Sequence, residues 1–61
     1  MEKLIAKTRT MTTDQILEAI TIIGGGHLTT EISMVRAALI EVYGEREGDD
    51  AADALMDMLG M

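Results

Sequence analysis

The chain has no cysteine and one histidine, and its single aromatic residue is Tyr43. Without cysteine there is no disulfide and no thiolate site for zinc, and one histidine cannot anchor a histidine-rich metal site. One tyrosine cannot build the stacking platform that single-stranded nucleic acid requires. Long apolar runs are also missing. The best are residues 20–23, with Thr21 inside, and residues 37–40, far short of the roughly 20 residues a membrane span needs. The amino end has Lys3 and Lys7 but no sustained apolar core behind them, so no signal peptide is read there. The expectation is a cytoplasmic protein with no membrane association.

Catalytic patterns are equally scarce. Gly24-Gly25-Gly26-His27 precedes a helix, and glycine N–H groups can converge on an anion. The Lys-Ser/Thr pair of a Walker loop is absent, as are the glycine spacing and preceding strand of a dinucleotide site. The glycines are better read as a helix-ending loop and His27 as an exposed or loop-packing residue. Ser33 and the threonines have no base placed beside them by any motif, and no cleft is expected at this size. The carboxylates of residues 49–57 lack the glycine and distal glutamate of an EF-hand. No enzyme, cofactor or metal site is expected.

What is present is apolar aliphatic side chain, in a chain 48% hydrophobic. Sixty-one residues form one domain at most, and a core of that size rarely supplies more than about 3–5 kcal/mol. With disulfide and metal excluded, the remaining staple is self-association, most simply a symmetric homodimer.

The organising stretch is residues 28–43. Ile32, Val35, Leu39 and Val42 recur at steps of three, four and three, one stripe of a helix. Ala38 and Tyr43 widen the stripe, and Thr29 or Thr30 can cap its start. Before it, Thr12-Thr13-Asp14-Gln15 fits a capping box. A helix follows to Ile23 with Ile16, Leu17, Ile20 and Ile23 as its inner side, and Gly24 ends it. Ile22 lies off that side, so two spare apolar faces remain, around Ile22 and along Val35 and Leu39. Gly44 interrupts the stripe at the point where Glu45-Arg46-Glu47-Gly48 turns polar. Asp49 or Asp50 caps a last helix to about Leu59, with Ala51, Ala52, Leu55, Met56, Met58 and Leu59 as its apolar set. Residues 1–10 are read as a mobile tail, because Thr8, Thr10, Thr12 and Thr13 disfavour helix; a short strand or a helical extension are the alternatives. The fold expected is all-α: one small domain over residues 1–61, three helices, a symmetric helical dimer and a short N-terminal tail or strand. Its dimer and core residues are Ile16, Ile20, Ile23, Ile32, Val35, Leu39 and Val42.

Charge is divided along the chain. Glu2 stands against Lys3, Lys7 and Arg9 in the first ten residues, whereas residues 41–61 hold seven carboxylates and only Arg46, within a total of −6. Asp50, Asp53 and Asp57 form a ladder at helical spacing. A solvated face is the ordinary account of such a ladder, and docking to a basic protein surface is the functional one.

A basic segment, a helix, a glycine loop and a longer helix, in that order over residues 3–43, resemble the ribbon-helix-helix DNA-binding proteins of phages, plasmids and antitoxins. Residues 35–43, VRAALIEVY, are similar to that family's second helix. The resemblance implies a dimeric repressor or antitoxin whose paired strands enter the major groove, with Lys3, Lys7 and Arg9 as the DNA-binding residues and Thr29 or Thr30 at a phosphate anchor. From the residues themselves the leading expectation is different. It is a non-enzymatic interaction module, a small phage- or plasmid-type adaptor or inhibitor, with two partners: itself, and a basic protein met by Asp50, Asp53 and Asp57.

Overall fold

The computed structural model describes residues 2–26 and 29–60. Its elements are α1 (Glu2–Thr8), α2 (Thr13–Ile23), α3 (Thr30–Glu47) and α4 (Asp49–Met58). There are thus four helices among the described residues and no strand. Helix α3 is the hub, since each of the other three packs principally against it. Isoleucines 16 and 20 of α2, Leu39 and Val42 of α3, and Leu55 of α4 form the core, closed by the small residues Ala38 and Ala52. The radius of gyration is 10.5 Å, which matches the value of about 10.5 Å for a close-packed chain of this length.

The first ten residues correct the expected tail or strand. A seven-residue helix is not stable alone, and α1 is held by contacts from far along the chain. Ile5 packs against the core. The Arg46 guanidinium donates to the Arg9 carbonyl at 2.9 Å, capping the end of α1. Arg9 and Glu45 form an ion pair at 2.8 Å. Thr8 is itself buried, its hydroxyl donating to the Leu4 carbonyl at 2.7 Å. That bond satisfies a residue whose β-branching otherwise argues against helix.

Helix α2 starts as its sequence indicates. The Gln15 N–H donates to Thr12 Oγ1 at 3.1 Å and the Thr12 N–H to Gln15 Oε1 at 2.9 Å, a complete capping box. Gly24, at φ 71°, ends it. Thr29 caps α3 by accepting from the Ile32 N–H at 3.3 Å. His27 and Leu28 lie outside the described residues, so the loop role read for His27 has no structural counterpart here.

Two expectations at the carboxyl side are corrected. Gly44 does not interrupt α3, which continues one turn further to Glu47. A Cβ at Gly44 would stand 3.3 Å from Ala52 Cβ, so the missing side chain lets α4 approach α3 closely. Neither aspartate caps α4. Gly48 alone, at φ 99°, ends α3 and begins α4, and Asp49 and Asp50 fall inside the first turn of α4 without a side-chain cap bond. There they still oppose the positive helix end.

The Arg9–Glu45 pair predicts a pH response. Its hydrogen bond holds the Glu45 carboxyl below the usual glutamate range and raises Arg9. A carboxyl whose folded value is depressed contributes above its unfolded pKa, and the contribution is lost as pH falls through the folded value. Docking of α1 should therefore weaken on acidification below the ordinary carboxylate range. In Glu45→Gln that part of the response should disappear, with only a small loss of stability at neutral pH because the pair is exposed. Amide exchange at Ile5 and Thr8, followed from neutral pH into acid, is the measurement.

Candidate interaction surface

Ile16, Ile20, Leu39 and Val42 are buried and Ile23 is half-buried. Ile32 and Val35 belong to the same stripe of α3 by periodicity, yet they are 43% and 37% exposed. The geometry of α2 and α3 explains this. Arg46 donates weakly to Thr13 Oγ1 at the start of α2, and Arg36 donates to the Gly24 carbonyl at 3.3 Å beyond its end. The two helices are therefore antiparallel, and the turns of α3 before Arg36 run past the end of α2. Ile32, Met34 and Val35 sit on that overhang, all exposed. Ile22, on the outer side of α2, is 77% exposed.

On α4 the ladder of Asp50, Asp53 and Asp57 is exposed, on the side away from buried Ala52 and Leu55. Met58, expected among the docking residues of this helix, is 81% exposed instead. The inward position is taken by Leu55, whose i−3 neighbour Ala52 meets Gly44; this turns Met58 toward the flank of the helix. Lys3 and Lys7 are exposed on α1, and Arg9 is exposed but engaged with Glu45. Where a ribbon-helix-helix arrangement would place these three residues on a strand, Lys3 and Lys7 lie on α1 and Arg9 in the turn that follows it.

The structure also assembles a feature that residue spacing did not single out. Leu17, Tyr43, Ala51, Ala54, Leu55 and Met58 line an open groove of 340 Å³ between α2, α3 and α4. The available signal was the pair Ala51 and Ala54, small residues on the flank of α4 beside the aspartates. Among the described residues no group of three or more His, Cys, Asp or Glu side chains converges as metal ligands would, and no helix is long and apolar enough to cross a membrane.

Comparison with protein-family models, curated protein sequences and solved structures finds no match to this chain.

Proposed function

We propose that this chain is a non-enzymatic protein–protein interaction module that works as a homodimer and presents an acidic α4 to a basic partner. The observation that carries the proposal is the apolar stripe of α3, buried at Leu39 and Val42 but running out into solvent at Val35 and Ile32. An apolar stripe that leaves the core on an overhanging helix end offers a surface for a second copy. Two-fold symmetry would set the same overhang of each copy against the other. The ladder of Asp50, Asp53 and Asp57 remains in water, where it steers a basic surface toward the module. A role on duplex DNA through Lys3, Lys7 and Arg9 is less well supported, because α1 is helical and Arg9 already has a carboxylate partner.

The test is melting temperature against protein concentration, with mass measured in parallel. A dimer melts higher when concentrated. Val35→Asp and Ile32→Asp should abolish that dependence while leaving helical content intact at low temperature. Leu39→Asp does not discriminate, since Leu39 is buried within one copy and its loss unfolds the monomer. A monomeric mass with concentration-independent melting would overturn the proposal.

A further inference from the structure

We infer that the groove between α2, α3 and α4 is a seat for a basic amphipathic helix of a partner protein. This presupposes the interaction role proposed above and names the partner's chemistry. The floor and walls are apolar: Leu17 from α2, Tyr43 from α3, and Leu55, Ala51, Ala54 and Met58 from α4. Ala51 and Ala54 leave the α4 wall low, so that a helix can approach closely and set side chains between them. No set of polar side chains converges there to orient a small molecule, as pockets for such ligands require. An open apolar trough fits the mode in which a helix lays its apolar side into a groove, with anchors at i, i+3 or i+4, and i+7.

Charge identifies the occupant. Asp50 and Asp57 stand four residues before and three after Ala54, which makes them its neighbours along the helix surface. Both are exposed, as is Asp53 beside them. On the opposite bank, Asp14 precedes Leu17 by three residues on the same side of α2, and it too is exposed. Of the cations with partners, Arg9 binds at the α1–α3 seam and Arg36 at Gly24, while Arg46 reaches from the Arg9 carbonyl to Thr13 beside Asp14, so the α4 bank is the more strongly acidic of the two. A helix with leucine-like anchors flanked by lysine or arginine would bury its apolar side and set its cations against both banks. A nucleic acid would be repelled by the same carboxylates. A second copy carries a net charge of −6 and is disfavoured by the same carboxylates as a whole.

The probe is a fluorescently labelled synthetic peptide of about four helical turns, with leucines on one face and lysines elsewhere. Controls are a scramble of the same composition and a leucine–glutamate version. Anisotropy should show saturable binding of the ordered peptide, at least about ten-fold tighter than the scramble, and no binding of the glutamate version. Ala54→Arg and Met58→Ser alter exposed positions and should keep the melting profile, yet each should weaken the ordered peptide several-fold. Replacing Asp50, Asp53 and Asp57 by asparagine should slow association, with the difference shrinking as salt rises. Equal affinity for ordered and scrambled peptides, with sensitivity only to the asparagine triple, would remove the groove and leave the acidic surface in place. No peptide binding at all would overturn the seat while leaving the dimer, measured separately, untouched. Loss of self-association in Ala54→Arg would make the groove a contact between copies and overturn the inference as well.

Discussion

Ile20→Ala should remove most of the fold's stability, leaving a readily detected unfolded fraction at room temperature and a much lower melting temperature. Ile20 has no solvent exposure and lies in the core with Ile16, Leu39, Val42 and Leu55. Truncating a buried isoleucine to alanine costs about 2–5 kcal/mol through lost transfer energy and the cavity left behind. A chain of this size has about 3–5 kcal/mol in all, so a single truncation consumes most of it. Ile22→Ala, two residues on and at a position 77% exposed, removes the same atoms and should move the monomer's stability by no more than about 0.5 kcal/mol. Far-ultraviolet circular dichroism melts of the two variants at equal, low concentration make the comparison. Similar melts for both would mean that α2 packs with a different face inward.

The second large effect is expected in the glycine loop. A Cβ on Gly25 would collide with the carbonyl oxygen of Leu59 and also press on the Leu59 side chain. The loop after α2 is therefore the platform on which the last turn of α4 rests. Leu59 belongs to the partly buried shell around the core, so displacing it loosens packing as well as the terminus. Gly25→Ala should destabilise the fold by about 1–3 kcal/mol, as overpacking typically does. Gly26→Ala is the control. No described atom lies within 4 Å of its Cβ position and its φ is outside the left-handed region. That change should be neutral or stabilising by about 0.4–1 kcal/mol through a less flexible unfolded chain. Urea midpoints for the pair check the sign of each. A neutral Gly25→Ala would show that α4 ends elsewhere.

The run of glycines illustrates where reading the chain succeeds and where it stops. From local spacing it was evident that Gly24 ends a helix, because helix termination is a local matter. The reason for Gly25 was not evident, because the residue it makes room for is Leu59, more than thirty positions away. The capping box of Thr12 and Gln15 and the cap at Thr29 were legible for the same local reason, as was the central place of α3. Helix α1 was misread because its threonines count against helix in isolation. What outweighs them, the bonds of Arg46 and Glu45 to Arg9, joins residues 36 and 37 positions apart. Gly44 was misread as a break because spacing cannot tell a glycine that ends a helix from one that admits a neighbour. Of the proposed surface, the aspartate ladder was visible as a period. The groove was not, since Leu17, Tyr43 and Ala54 come together only after three helices have packed.

Helix α3 carries all the principal seams, and this sets an order of release. The seams it makes with α2 and α4 join neighbours in the chain, whereas the seam with α1 closes a far longer loop and rests on an exposed ion pair. Loop closure grows more unfavourable with length, so α1 is the first piece to come away and the last to return, whereas lifting α4 withdraws Leu55 from Ile16 and Ile20 and loosens α2 as well. Unwinding of α3 has no such partial form: it dissolves every seam at once. Native-state amide exchange should accordingly separate into three depths, shallow in α1, intermediate in α4, and coincident with global unfolding around Leu39 and Val42.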